Sequence, residues 1–273
     1  MLYKNITFIG AGNMTSAIIR GLIADGYPSD KIMATNPSQA KLDILIADCD
    51  ICTSNSNDDG IAFGDVIILA VKPQLMSKVC AAFKSKERLS NKCFVSIAAG
   101  IPTDRLSEML NGVKNIVRVM PNTPSAIGQG MSGVYAHDVV AQENVQFVLD
   151  IMRKVGDTVL VDNEDHINTV IAAAGSSPAY FFLIAEAMQA EAINMGLNKA
   201  QARKLVQQAM FGSAKMLKEN EDLEPSQLRA NVTSKGGTTH QAVLSLQNDN
   251  IEQTFARAMQ AAVARANEMS KEF

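Results

Sequence analysis

Roughly the first 160 residues alternate between short apolar runs and stretches whose apolar residues recur at helical spacing. Most of the apolar runs are continuous and rich in β-branched residues, which is typical of strands buried on both faces. The alternation predicts a parallel sheet with crossover helices. The predicted strands are Asn5–Gly10, Lys31–Thr35, Ile51–Ser54, Asp65–Val71, Cys93–Ala98 and Asn115–Met120, with Met131–Ala136 and Thr158–Val161 added at the sheet edge. The predicted helices between them begin near Asn13, Pro37, Asn57, Pro73 and Pro102.

The pattern changes after about Val161, where strand-like runs end and Ala, Met, Gln and Glu recur at helical spacing. Pro178 falls inside the first long helical stretch, so that helix should be kinked or interrupted there. The predicted helices are Asp165–Met195, Asn198–Glu219, Gly237–Gln247 and Ile251–Lys271. The change predicts two domains, an α/β domain over residues 1–162 and an all-helical domain over residues 163–273.

The helical part is too small to close a hydrophobic core comfortably by itself. Its stretch Ile171–Gly175 carries no charge and consists mainly of small residues, which suits helices that approach a partner closely. We therefore expect a homodimer built on the helical domain. The alternative is a bundle formed within one chain.

Composition excludes several classes of protein. With 47% hydrophobic and 19% charged residues, the chain of 273 residues has the balance of a compact globular enzyme. A formal net charge of -3 gives no basic excess for binding nucleic acid. The sequence contains no run of about 18 apolar residues to span a bilayer. Its N-terminus lacks the small-residue cleavage site of a signal peptide, so we expect a cytoplasmic protein without membrane or nucleic-acid partners.

All four cysteines, Cys49, Cys52, Cys80 and Cys93, lie in the first hundred residues. The C-x-x-C spacing of Cys49 and Cys52 fits half a zinc site or a redox pair. No second C-x-x-C or C-x-x-H follows, whereas a structural zinc site needs four ligands. We expect ordinary reduced thiols and no metal site.

A glycine-rich turn follows the first predicted strand and opens the first predicted helix. Gly10 can make the turn without a Cβ penalty, and Gly12 lets the backbone approach a pyrophosphate seated on the helix N-terminus. Thr15 stands where glycine or alanine is usual, which should loosen the helix–strand packing or add a hydroxyl near the phosphates. Strand, tight turn and helix together predict a dinucleotide-binding domain of Rossmann type.

The end of the second strand bears on the choice of cofactor. NAD enzymes usually place Asp or Glu there to hold the ribose 2′-hydroxyl, but Ala34–Ser38 contains no acid. Thr35, Asn36 and Ser38 can instead donate hydrogen bonds to a 2′-phosphate, and Lys41 is near. We therefore expect NADP, with NADPH preferred over NADH. The alternative interpretation is that Asn36, Pro37 and Ser38 only cap a helix.

Three further loops follow predicted strands and are candidates to line the nicotinamide site, because ligands of such sheets bind beyond the carboxyl ends of the strands. They are Ala70–Pro73, Ser96–Gly100 and Met120–Pro124. Lys72 is either a catalytic cation or a surface lysine before a helix that starts with proline.

In the helical half, Ser234–Thr239 resembles an anion nest, with backbone N–H groups, hydroxyls and a following helix N-terminus. Such a loop would bind a carboxylate, and the alternative is a simple turn. Neither His137, His166 nor His240 lies in a motif typical of a general base. Reduction of a C=N bond fits, since an iminium substrate arrives already protonated.

The motifs taken together resemble those of the pyrroline-5-carboxylate reductase family over essentially the whole chain. The matching segments are Gly10–Met14, Ala70–Pro73, Ser96–Gly100, Met120–Pro124, the helix break Gly175–Tyr180 and the loop Ser234–Thr239. Six motifs in order are far more specific than any one of them. Thr15, Ser177 and Lys235 depart from the family pattern.

The resemblance implies NADPH-dependent reduction of the C=N bond of 1-pyrroline-5-carboxylate to L-proline, the last step of proline biosynthesis. It implies a fold with an N-terminal Rossmann-type doubly wound parallel sheet and a C-terminal all-helical dimerisation domain, in dimers that often assemble into decamers. The implied cofactor-binding residues are Gly10, Ala11, Gly12, Asn13, Met14, Thr35, Asn36, Asn57, Ala70, Val71, Lys72, Pro73, Ala98 and Ala99. The implied substrate-binding residues are Gly236, Gly237, Thr238 and Thr239.

Within these sets the resemblance implies particular roles. Asn57 would contact the adenosine ribose, and Thr35 and Asn36 would lie near the 2′-phosphate. The backbone of the glycine loop would hold the substrate carboxylate. Thr239 would hydrogen-bond the ring nitrogen and is the implied catalytic residue.

Two other functions remain to be compared. A β-hydroxyacid dehydrogenase of the 6-phosphogluconate dehydrogenase type shares the layout, but it needs a lysine in the long helix after the first domain. Asp165–Met195 contains no lysine. A non-catalytic NADP-sensing oligomer would have no use for the carboxylate-binding loop.

Overall fold

A computed structural model describes residues 3–84 and 86–272 of the chain. The described residues form one eight-stranded sheet, and each of its strands falls at a predicted position. The strands are β1 (Ile6–Ile9), β2 (Ile32–Thr35), β3 (Cys52–Ser54), β4 (Val66–Leu69), β5 (Cys93–Ser96), β6 (Ile116–Met120), β7 (Gly130–Ala136) and β8 (Gly156–Leu160). The predicted fold class is confirmed.

The strand order is β3-β2-β1-β4-β5-β6-β7-β8. The first six strands in this order are parallel, β7 is antiparallel to β6, and β8 is parallel to β7. The first six therefore have the order of a doubly wound dinucleotide-binding sheet. Because they are parallel, the loops that follow them meet at one edge of the sheet.

The continuous apolar runs are explained by two cores, one on each face of the sheet. In β4, Val66 and Ile68 belong to one buried cluster, and Ile67 and Leu69 belong to the other. Successive side chains of a strand point to opposite faces, so a strand covered on both sides needs apolar residues at every position. Each such burial stabilises the fold by about 1.5–3 kcal/mol.

The chain divides into two compact units. The first unit comprises the described residues up to Ser176 together with those from Ala261 onward, and the second comprises Ser177–Gln260. The first unit extends beyond residue 162 because the helical segment at 166–175 packs on β6 and β7. The division into domains at 162 and 163 stays a prediction.

The helices of the first unit before residue 160 include two that sequence inspection did not predict, the short α5 and the longer α7. They are α1 (Asn13–Ala24), α2 (Gln39–Cys49), α3 (Asn57–Phe63), α4 (Pro73–Ala81), α5 (Lys86–Leu89), α6 (Thr103–Met109) and α7 (Gln142–Arg153). The missed helix α7 buries Val145, Val148, Leu149 and Met152, the spacing of one helix face. Helix α2 begins at Gln39 rather than at Pro37.

The later helices follow the predicted positions, with one addition. They are α8 (His166–Val170), α9 (Ser177–Asn194), α10 (Lys199–Glu219), α11 (Pro225–Asn231), α12 (Thr238–Asn248) and α13 (Ile251–Glu272). The addition is α11, which starts with a proline. Asn198 caps α10 in a reciprocal capping box with Gln201.

The interruption predicted at Pro178 takes the form of a π-turn over Ile171–Gly175, between α8 and α9. The N–H of Ser176 donates to the carbonyl of Ile171 at 2.7 Å, a bond that spans five residues. Such turns relieve a helix where its ordinary hydrogen bonds cannot continue.

One helical stretch of the described residues, His166–Asn194, is long and apolar enough by length and composition to cross a membrane. Its most apolar window has a mean hydropathy of 1.4, and 22% of that window is buried. The window is apolar on average rather than without interruption, which is why sequence inspection did not predict it. A single stretch of this kind is weak evidence for a membrane span, because helices that pack against protein have the same composition.

Candidate functional site

The glycine turn after β1 has the geometry that its sequence predicts. Gly10 has φ +110°, and a Cβ built on it would lie 2.7 Å from the carbonyl oxygen of Ala70. Its N–H donates to the carbonyl of Thr35 at 2.8 Å. A side chain at this position would therefore meet backbone in a strained conformation. Gly10 therefore lies where the ends of β1, β2 and β4 meet.

Gly12 differs from Gly10, because a Cβ built on it has nothing within 4 Å. It occupies the N-cap position of α1, whose first residues are Asn13 and Met14. The first N–H groups of a helix have no partner within the helix and attract anions. The space beside Gly12 therefore fits a pyrophosphate.

Thr15 is fully buried, and its hydroxyl donates to the carbonyl of Gly10 at 2.7 Å. This hydroxyl is thus engaged with the backbone of the turn rather than offered to the phosphates. The bond joins the first turn of α1 to the glycine turn. It therefore stabilises the helix–strand contact, which threonine in place of glycine or alanine was expected to loosen.

The end of β2 holds a small polar network. Thr35 is fully buried and donates its hydroxyl to Oδ1 of Asn57 at 2.7 Å. Asn36 accepts the N–H of Ala11 at 3.4 Å and donates to the carbonyl of Ser38 at 3.1 Å. Thr35 therefore orients Asn57, whereas Asn36 is half-buried and Ser38 is exposed. Ser38 precedes α2 but makes no capping bond with its side chain.

The loops after β4 and β5 continue the same edge. Lys72 is exposed at the N-cap position of α4, and Pro73 is the first residue of that helix. Ala98 is buried, and its N–H lies 3.4 Å from the Ser96 hydroxyl oxygen. Ala99 is half-buried. Because β2, β1, β4 and β5 are neighbours in this order, the candidate cofactor-binding residues that follow them lie side by side along one edge of the sheet.

The proposed substrate loop lies in the second unit. Gly236 has φ +77° and Gly237 is the N-cap of α12. The N–H of Gly237 already donates to the carbonyl of Ser234 at 3.0 Å. The first bond within α12 is donated by Gln241. The helix itself therefore leaves the N–H groups of Thr238, Thr239 and His240 without an acceptor, and Thr238 and Thr239 are exposed.

Sequence inspection missed a buried ion pair between β6 and the start of the helical segment. Arg118 is 3% exposed, and its Nη1 lies 3.1 Å from Oε1 of Glu164. Glu164 also accepts the N–H and the hydroxyl of Thr103, each at 2.7 Å. Burial lowers the pKa of Arg118, and the charge of Glu164 opposes that shift. No local spacing indicates a pair 46 residues apart.

The cysteines of the described residues are free thiols. Burial raises the pKa of both Cys80 and Cys93 to about 12. Thiols that remain protonated at neutral pH are poor nucleophiles and poor metal ligands. Among the described residues, no group of three or more His, Cys, Asp or Glu side chains is placed to hold a metal ion.

Comparison with known proteins covers both units. A family model described as pyrroline-5-carboxylate reductase dimerisation matches residues 164–269. A second, described as NADP oxidoreductase coenzyme F420-dependent, matches residues 5–100. The pyrroline-5-carboxylate reductase of Vibrio alginolyticus is 50% identical over 273 residues, which is 100% of both chains. That of Haemophilus influenzae is 45% identical, again over 100% of both.

Solved structures resemble this one over the same length. The pyrroline-5-carboxylate reductase of Coxiella burnetii is 42% identical, with a TM-score of 0.92 over 98% of this chain and 99% of that one. The Plasmodium falciparum pyrroline carboxylate reductase, solved with NADP bound, is 28% identical, with a TM-score of 0.86 over 99% of both chains.

Proposed function

This chain belongs to the pyrroline-5-carboxylate reductase family of oxidoreductases, and we propose that it reduces the C=N bond of 1-pyrroline-5-carboxylate to L-proline with NADPH. The observation that carries the proposal is the open space at Gly12 beside the tight turn at Gly10, in a chain that matches the family from end to end. This turn accepts a dinucleotide, and the reaction is the last step of proline biosynthesis.

The chemistry requires little from acidic or basic side chains. Bound NADPH supplies a hydride to the imine carbon. The ring nitrogen carries its proton into the reaction as an iminium, so the C=N π electrons become the nitrogen lone pair. The task of this chain is to hold the two reactants in line and exclude water. Thr239 would accept or donate one hydrogen bond at the ring nitrogen, and the N–H groups that start α12 would hold the carboxylate.

A spectrophotometric assay tests the proposal. Purified protein mixed with NADPH and 1-pyrroline-5-carboxylate should lose the absorbance of the reduced nicotinamide and form proline. Parallel runs with NADH test the cofactor preference, which rests on Asn36, Ser38 and the absence of an acid after β2. Intact NADPH binding without turnover would reject the proposed reaction. Equal kcat/KM with both cofactors would reject the preference alone.

Thr239→Ala should lower kcat for 1-pyrroline-5-carboxylate by about 10- to 100-fold, the effect of losing a hydrogen bond to a charged group. The dissociation constant for NADPH should not change, because Thr239 is assigned to the substrate. Thr254→Ala is a matched control, since its exposed hydroxyl donates to the carbonyl of Asn250 at 3.2 Å and accepts from Nη2 of Arg257 at 3.3 Å, both on the surface of α13. If both variants turn over like the wild type, Thr239 does not contact the ring nitrogen.

We also propose that the helical part forms a homodimer, since α9 carries apolar side chains that a monomer leaves exposed. Phe181, Phe182 and Leu183 are 55%, 68% and 66% exposed. An apolar patch of this kind typically marks an interface between proteins. The same pairing accounts for the apolar helical stretch without a membrane, and we propose a cytoplasmic location. Assembly into a decamer is a further proposal that rests on the family resemblance.

Phe182→Glu should dissociate the dimer, because a carboxylate would be buried in an apolar interface. Sedimentation velocity of the variant should show the mass of one chain. Val139→Glu is the control, since Val139 is 62% exposed in the first unit and its substitution should leave the mass unchanged. A dimer that persists in Phe182→Glu would place the interface elsewhere.

A further inference from the structure

Asn122 lies at the carboxyl end of β6, and its side chain makes contacts that the hydride-transfer scheme above does not use. It follows Met120 and Pro121 and precedes a short 3-10 turn over Thr123–Ile127. The residue is 8% exposed. Buried amide groups in proteins are normally hydrogen-bonded, and both Nδ2 and Oδ1 of Asn122 have a hydrogen-bond partner.

The amide of Asn122 joins three segments of the first unit. Its Nδ2 donates to the carbonyl of Ala174 at 3.0 Å, and its Oδ1 accepts the N–H of Met131 at 2.9 Å. Ala174 belongs to the π-turn and Met131 to β7. The loop after β6 is thereby tied to the helical segment on one side and to the neighbouring strand on the other.

The bond to Ala174 has a cause in the sequence. In an α-helix, the carbonyl of residue 174 would accept the N–H of residue 178, but Pro178 has no N–H. Asn122 brings a side-chain donor to that carbonyl. Close approach of the two segments is possible because residue 175 is glycine, on which a Cβ would lie 2.8 Å from Cε of Met120.

The strand order sets where this junction lies. β6 follows β5 in the sheet, and β5 follows β4. The loops after β4 and β5 carry candidate residues for the nicotinamide site. The contact between Asn122 and the π-turn lies after the neighbouring strand, β6, and is therefore next to the nicotinamide end of the proposed cofactor site. The adenosine end, at β1 and β2, lies several strands away. A change at the junction should therefore act on the reacting ring rather than on the cofactor's main binding contacts.

We infer that Asn122 is a positioning residue for hydride transfer, which holds the π-turn and the loop after β6 in a fixed register beside the nicotinamide. The inference rests on the proposed function. It assigns to Asn122 no contact with substrate or cofactor, and its effect is transmitted through the backbone of Ala174.

Asn122→Asp tests the inference, because it replaces the donating amide by a carboxylate and keeps an acceptor, while the control variant described below introduces the same charge elsewhere. A carboxylate oxygen still accepts the N–H of Met131, but the other oxygen now faces the carbonyl of Ala174 and cannot donate. Since misplacement by about 1 Å costs about 100-fold in rate, kcat/KM for 1-pyrroline-5-carboxylate should fall by about that factor, through kcat. The dissociation constant for NADPH should stay within about twofold of the wild-type value.

Asn115→Asp is the matched control at the opposite end of β6. Asn115 also donates to a backbone carbonyl, that of Lys92 at 3.1 Å, and accepts one hydrogen bond, from Asn144 at 3.3 Å. Its kcat should match that of the wild type. An equal loss of kcat in both variants, or a parallel loss of NADPH affinity in Asn122→Asp, would overturn the inference. So would a kcat/KM for Asn122→Asp that is unchanged.

Hydrogen exchange separates this inference from the proposed function. In Asn122→Asp, peptides that cover Ile171–Ser176 should exchange faster than in the wild type, whereas peptides that cover α1 should not change. Unchanged exchange at the π-turn would overturn the inference whatever the substrate is. If Asn122→Asp does not fold, Asn122→Ser is measured in the same way, because its shorter side chain cannot bridge both partners. Failure of the wild type to reduce 1-pyrroline-5-carboxylate would instead reject the proposed function.

Discussion

Gly12→Val is expected to raise the dissociation constant for NADPH by at least about 100-fold, which corresponds to about 2.7 kcal/mol of binding free energy. The valine methyl groups would occupy the space that the pyrophosphate needs at the start of α1. The fold should survive, since a Cβ at this position meets nothing within 4 Å and φ is −89°. Valine at an N-cap position costs the helix only about 1 kcal/mol.

Ala24→Val, at the exposed far end of the same helix, is the control for Gly12→Val. Isothermal titration with NADPH should give the wild-type affinity for Ala24→Val and no measurable binding for Gly12→Val. Circular dichroism should show both variants folded. Gly10→Ala is not a substitute for this experiment, because its Cβ would collide with the backbone of Ala70 and change the fold itself. Wild-type affinity in folded Gly12→Val would show that the pyrophosphate does not bind at this turn.

Glu164→Gln is expected to lower the free energy of unfolding by about 3–5 kcal/mol, because it leaves the Arg118 charge buried without its counter-ion. Arg118 is 3% exposed. The substituted amide retains an acceptor for Thr103 but carries no charge. The measurement is a urea titration followed by circular dichroism, in which the midpoint should fall well below that of the wild type.

Asp48→Asn makes the same acid-to-amide change in a surface pair. Arg20 and Asp48 lie only 2.6 Å apart, closer than Arg118 and Glu164, but their side chains are 51% and 42% exposed. Exposed pairs contribute less than about 1 kcal/mol, so this variant should unfold almost like the wild type. Similar urea midpoints for the two variants would show that burial does not determine how much the Arg118–Glu164 pair contributes to the free energy of unfolding.

Local sequence patterns were sufficient to predict the strands of the sheet but not the side-chain contacts between distant segments. The strands were predictable because burial on both faces demands apolar residues at every position, as β4 shows. The glycine turn was predictable because only glycine tolerates the geometry at Gly10. The helix α7 carries an amphipathic pattern that was overlooked, so its signal was present in the sequence.

Side-chain partners far apart along the chain could not be predicted in this way. Arg118 and Glu164 are 46 residues apart, and Asn122 and Ala174 are 52 apart. No spacing rule links such residues, because the fold alone brings them together. Thr35 shows the same limit at shorter range: its type suits a phosphate contact, yet the structure buries it against Asn57. The type of a residue indicates what it can bind, whereas its burial decides what it does bind.

An isotope-transfer experiment tests the central claim most directly. The wild-type protein is incubated with 1-pyrroline-5-carboxylate and NADPH that carries deuterium at both C4 positions of the nicotinamide, and the product is analysed by mass spectrometry. We predict proline that carries one deuterium on the carbon that was the imine carbon. Formation of no proline, or of proline without the label, would contradict hydride transfer from NADPH to this substrate.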